Sequence, residues 1–351
     1  MSATPSSFVR PLALVALLFS AAGAGATTVQ PTVLQDLGGS TTVIASSGHR
    51  AIGDGSNADG SQNYALLWDL RHPGAAPTVL ATHPGYSGGF SVERAISDRF
   101  AAGQEVFANA DGTTTFRTVV WDLDHPARLP VVLNSGGFAS TAPFVMQGAL
   151  IAGGGVTADG TLSGLLWDLR HPNAAPRVLA ANAQLVAIAS GYVIGVVFGQ
   201  NQDGSTSSSI ALFDVNDLDR APKSLNAGDG QVPFGANGRY VGGGDTFNGV
   251  PLLWDLKKPK AAPRVITDPA GGFIIGVGEE YAVGQDGAGL GFAIRIGEPQ
   301  RPSITLGAGG GPSSIAFGSD GNIAVGYVAG QDGLTHPAFW RLEGDDDRDC
   351  D

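Results

Sequence analysis

Cysteine is almost missing from this chain. The only one, Cys350, sits in an acidic C-terminal tail, so no internal disulfide and no cysteine metal cluster can form. Charge is sparse as well, at 15% of residues, and it leans negative, with 20 Lys and Arg against 32 Asp and Glu. That balance leaves no basic face for phosphate and excludes nucleic acid as a partner. Past the N-terminus no segment approaches the roughly 18 uninterrupted apolar residues of a membrane span. Two catalytic signatures are also missing: a His-Glu-x-x-His pair and a phosphate loop followed by Lys.

What the chain has in quantity is glycine and proline, 53 and 21 residues, beside 43% hydrophobic residues. Such a composition is too rich in turns for a helical protein and too apolar for disorder. It fits an all-β fold with many short strands. The first residues carry Arg10, an apolar run from Pro11 to Phe19 and small residues from Ser20 to Ala26, the layout of a secretory signal peptide. Residues 1–26 are therefore expected to be removed, which makes the mature chain secreted or periplasmic.

The remainder repeats. An aromatic or apolar anchor recurs at Trp68, Trp121, Trp167, Phe213, Trp254, Ile294 and Trp340, most often at an interval of about 46 residues. Twelve residues after an anchor comes Leu80, Leu133, Leu179, Leu225, Ile266 or Leu306. Before each anchor an apolar triplet ends in glycine, as at Ile52-Gly53, Val241-Gly242 and Val325-Gly326, and a shorter apolar piece precedes that. Asp-Gly pairs such as Asp59-Gly60, Asp286-Gly287 and Asp332-Gly333 mark tight hairpins between the second and third runs. Four short β-prone runs per repeat describe one propeller blade, with strands a to d from first to last.

The last repeat lacks strand d, because Trp340-Arg341-Leu342 runs into the acidic tail 343–351. The missing piece is at the other end: Pro31-Thr32-Val33-Leu34 is identical to Pro77-Thr78-Val79-Leu80. Residues 27–342 are thus expected to form a seven-bladed β-propeller of four-stranded antiparallel blades, its ring closed by the N-terminal strand.

The repeat resembles the HAF-type repeats of bacterial extracellular proteins. The stretch from Ile323 to Trp340, with His336-Pro337-Ala338-Phe339-Trp340, and the turn Asp36-Leu37-Gly38-Gly39 carry the likeness. The resemblance implies export and a β-propeller, and it brings no established enzymatic activity with it. The Trp68-Asp69 pair is also similar to WD40 repeats, although the Gly-His pair of that family does not recur.

Each candidate site has a structural counterpart. The Trp anchors fit blade-to-blade packing better than sugar platforms. Asp54, Asn57 and Asp59 have oxygen atoms at spacings that suit calcium, but they lack the closing glutamate, and hairpin geometry explains them. His72, His125 and His171 fall on equivalent positions of successive blades, where they cannot converge on one metal. The d-to-a loops carry Asp36, His83, Tyr86, Asp229 and Asp268 on the face where a site is sought, with no catalytic set among them. The expected function is a monomeric, non-catalytic binding or scaffold protein, without cofactor or metal, that recognises a protein or polysaccharide through those loops. The alternatives are a carbohydrate hydrolase or lyase and a calcium-stabilised repeat protein.

Overall fold

The computed structural model describes residues 27–84, 91–108, 112–200, 206–298 and 301–342. The expected signal peptide, Tyr86, Asp111, Asp203, Cys350 and the acidic tail lie outside the described residues. The chain is an all-β propeller of seven antiparallel four-stranded blades. Blade 1 sets the pattern: strand a is Gly38–Ser47, strand b Arg50–Asn57, strand c Asn63–Asp69 and strand d Thr78–Val79. Strands a line the central channel, and strands d form the outer edge.

Blade 7 is built from both ends of the described chain. Its own strands Ser314–Asp320, Ile323–Ala329 and Thr335–Arg341 are completed by Thr32–Val33, which pairs antiparallel with Phe339 and Ala338. The N-terminal segment goes further than expected. Thr28–Val29 pairs in parallel with strand d of blade 6, Ile304–Leu306, and so adds a fifth strand there. Of the two apolar residues in the closing strand only Leu34 is buried; Val33 is half exposed, because a two-residue edge strand turns one face to solvent.

The core lies between blades. One cluster joins Trp68, Leu66 and Val43 of blade 1 to Leu34, Val325 and Phe339 of blade 7. All seven anchors are buried, none above 3% exposed. Each tryptophan also satisfies its polar atom across the seam. The indole N–H donates to the residue just after strand d of the preceding blade: Trp121 to Ala81 (2.7 Å), Trp167 to Asn134 (3.0 Å), Trp254 to Asn226 (2.9 Å) and Trp340 to Gly307 (3.0 Å). Phe213 and Ile294 have no such donor and pack by shape alone.

The glycine of strand b has a steric reason. In blades 1 and 3 to 7, strand a carries one extra residue at the same level, at Ile44, Phe144, Val186, Phe234, Ile275 and Phe317. Such a bulge bends the strand and drives a carbonyl toward its neighbour. A Cβ at Gly284 would lie 1.9 Å from the carbonyl oxygen of Phe273, and one at Gly326 would lie 1.9 Å from that of Ile315. In blade 5 the residue so constrained is Gly243, one position beyond the expected Gly242.

Turns follow local chemistry. The aspartate after the anchor caps the c-to-d turn: Asp69 accepts the N–H of Arg71 at 3.0 Å, and Asp168 that of Arg170 at 3.0 Å. The Trp-Asp pair is therefore an anchor followed by an Asx turn. Most Asp-Gly hairpins place glycine at positive φ, as at Gly60 (68°) and Gly333 (81°). The Asp286-Gly287 hairpin departs from expectation, since its positive φ falls on Gly289.

Candidate functional site

The channel opens into a cavity of about 410 Å³ at the face of the a-to-b turns. Hydroxyl and amide side chains form its rim, among them Ser47, Ser97, Gln147 and Asn237, with the carboxylate of Asp98 beside them. Deeper in the channel the wall turns apolar, and here the bulges matter. Val186, Phe234 and Phe317 are bulge residues of strand a that line the cavity. An extra residue shifts the alternation of side chains, so a position that a regular strand would place elsewhere reaches the channel.

The rim is held by bonds between neighbouring turns. Ser47 donates to Asp98 at 2.7 Å, the Gly48 N–H donates to Asp320 at 2.6 Å, and Ser319 donates to the Tyr281 carbonyl at 2.8 Å. Arg50 reaches the Asp98 carbonyl (2.7 Å) and pairs with Asp124 (2.9 Å). Blades 7, 1 and 2 are thereby laced together around the mouth.

The d-to-a candidates among the described residues, Asp36, His83, Asp229 and Asp268, are not brought together, and none of the four lines this cavity. Each serves its own blade. Asp268 accepts the N–H and hydroxyl of Ser303 at 2.9 and 3.1 Å, and Asp229 stands exposed on the turn before Gly230. Tyr86 lies outside the described residues. The other two meet partners that sequence reasoning missed.

His83 rests on Glu105, a fully buried carboxylate in strand b of blade 2. Glu105 Oε1 accepts the His83 N–H at 3.0 Å, and Oε2 lies 2.7 Å from the ring Nδ1. A lone glutamate inside the apolar run from Ala101 to Phe107 was the available signal. Asp36 lies 3.0 Å from Nδ1 of His336, whose Nε2 is 3.1 Å from Asp332. Each pair has the form of a carboxylate that orients an imidazole. Neither ring is hydrogen-bonded to a hydroxyl or thiol of a described residue. Among the described residues no three His, Asp, Glu or Cys side chains gather to hold a metal ion, and no helix is long and apolar enough to cross a membrane. His72 and His125 lie beside Asp69 and Asp122 of their own turns.

No family model and no curated protein matches the chain. Solved structures do. The propeller domain of the trilobed protease from Pyrococcus furiosus, described as having an open velcro topology, superposes with a TM-score of 0.56 at 11% identity, over 87% of this chain and 96% of that one. A puromycin-hydrolysing peptidase of Mycobacterium tuberculosis gives 0.55 at 14%, over 88% and 54%. A prolyl endopeptidase gives 0.60 at 12%, over 85% and 47%. The chain thus spans about half the length of these two peptidases. At such identities the likeness shows the fold. The expectation of a non-catalytic scaffold is corrected to this extent: the three propellers named belong to peptidases, which are hydrolases.

Proposed function

We propose that this chain is the β-propeller of a peptidase-type hydrolase, the part through which an extended peptide reaches a hydrolytic centre supplied by polypeptide outside the propeller. The channel cavity carries this reading. Its volume of about 410 Å³ lies in the range of small ligand sites, roughly 300–1,000 Å³. Serine, glutamine and asparagine at the rim suit the backbone N–H and C=O groups of a peptide whatever its sequence. Phe234 and Phe317 below them offer apolar surface to its side chains. A folded domain is too wide to enter, so the channel would select unstructured chains.

The chain spans about half the length of two of the peptidases it resembles, which supports placing the centre in polypeptide outside the propeller. The layout of residues 1–26 supports export with cleavage after Ala26, and the likeness to HAF-type repeats agrees with that setting. Intact mass of the exported protein tests it; a retained Met1 would overturn it.

The decisive experiment assays fluorogenic peptides with the protein isolated from the cells that make it, as wild type and as the double variant Gln147→Trp and Asn237→Trp. Both positions line the cavity from different blades. Hydrolysis should fall at least tenfold in the variant while the melting temperature stays unchanged. Hydrolysis unaffected by the variant would remove the channel from the reading, and absence of hydrolysis in every preparation would remove the class.

A further inference from the structure

The propeller has one seam that the chain does not cross covalently within a blade. It lies in blade 7, between strand c (Thr335–Arg341) and the N-terminal strand Thr32–Val33. That seam is thinly held. Two residue pairs, the Leu34 N–H on the Pro337 carbonyl at 2.8 Å, and the buried side chain of Leu34 join the strands. At its end stands His336, a strand-c residue flanked by two carboxylates, one from each side of the seam. Asp36 belongs to the N-terminal segment, and Asp332 to the b-to-c hairpin of blade 7.

Both carboxylates are fixed in place by their own turns. Asp36 accepts the Gly38 N–H at 2.9 Å, and Asp332 accepts the Leu334 N–H at 3.0 Å. Each faces a different ring nitrogen: Asp36 lies 3.0 Å from Nδ1, and Asp332 3.1 Å from Nε2. Only a protonated imidazole donates from both nitrogens; the neutral ring has one N–H, and its other nitrogen would turn a lone pair toward a carboxylate. The charged groups that act on this ring are Asp36 and Asp332.

We propose that His336 is a proton-controlled clasp on ring closure: its charged form ties the N-terminal segment into blade 7, and loss of the proton releases that tie. The inference is independent of the hydrolase reading, since it concerns how the ring is shut and not what passes through it. The hydrogen bond to Asp36, and next that to Asp332, raises the pKa of His336 above its ordinary 6.5, against the opposing effect of burial. A raised pKa makes the contribution fully present below 6.5 and lost as pH rises through the higher folded value. At the acid end Asp332, whose pKa is lowered by the Leu334 N–H and by His336, loses its share as pH falls below the ordinary carboxylate range.

Hydrogen–deuterium exchange of the full chain tests this directly, with rates corrected for intrinsic pH dependence. Protection of residues 28–36 relative to strand b of blade 4, Tyr192–Gln200, should drop at least fivefold between pH 6 and pH 9. His336→Gln should show the low value at both pH values. Asp36→Asn, which keeps the shape of the contact and removes its charge, should shrink the pH effect. Equal protection of the wild type at the two pH values would overturn the clasp, and this reading needs no variant to fold. An undiminished pH effect in His336→Gln would overturn it equally.

Discussion

The indole N–H of Trp68 lies 2.8 Å from the carbonyl oxygen of Gln35, so the anchor of the first blade is bonded to the segment that completes the last. The bond repeats the one that each other tryptophan makes across its own seam, here with a donor and acceptor joined by the closing strand.

Trp68→Ala should cost about 3–5 kcal/mol, since it empties a buried site between blades 1 and 7. Trp68→Phe keeps most of the packing and leaves the Gln35 carbonyl unpaired, for about 1–2 kcal/mol. Urea denaturation of the two variants separates shape from hydrogen bond; equal losses would contradict the assignment.

Removal of residues 27–36 should lower the melting temperature far more than removal of residues 344–351. The first deletion takes the buried Leu34 side chain, worth about 1.5–3 kcal/mol, together with the edge strands of blades 6 and 7. Calorimetry of both truncations provides the comparison.

Gly284→Ala places a methyl group 1.9 Å from the Phe273 carbonyl and should destabilise the protein by about 1–3 kcal/mol or more, as strand a of blade 6 is pushed off its bulge. Gly60→Ala, at a φ of 68° with open space around it, should cost only about 1 kcal/mol. Reversal of that order in denaturant midpoints would refute the steric account of the repeat glycine.

Acid should weaken the fold in a defined window. The Arg99 guanidinium beside Asp122 holds its carboxyl down to about 2, with help from the Asp124 N–H. Asp69 is lowered further by Arg71. A depressed folded pKa gives stability that is present above the ordinary carboxylate value and is lost as pH falls toward 2. The melting temperature should therefore fall between pH 5 and pH 2, less steeply in Asp122→Asn. Because Arg99 is well exposed, added salt should reduce the difference.

The blade repeat was open to reading because its marks are one-dimensional. Trp68, Leu80, Gly53 and Asp59 each do the same local task in successive blades, so their spacing survives in the chain. The closing strand was readable for the same reason, as a second copy of Pro-Thr-Val-Leu. The channel was not. Phe234 and Phe317 reach it only through an extra residue in strand a, and a bulge leaves no composition signal of its own. Glu105 and His83 were separable from the background only once folding placed a loop residue over a neighbouring strand. The face favoured by analogy drew attention to the d-to-a loops, whereas the cavity lies at the a-to-b turns, where seven strand ends meet.

The join in blade 7 also sets a timetable. Asp36 and His336 are 300 positions apart, and bringing ends so distant together costs ~5 kcal/mol of loop entropy before any contact is made. During synthesis the closing strand Thr32–Val33 emerges roughly 300 residues before its partner, Thr335–Arg341. Six blades can stack meanwhile, each on the one before, but strand c of the seventh keeps a row of open N–H and C=O groups until the first strand returns. In a concentrated refolding mixture the same edge accepts the N-terminal strand of a second molecule equally well, so strand exchange between copies competes with closure at that one place.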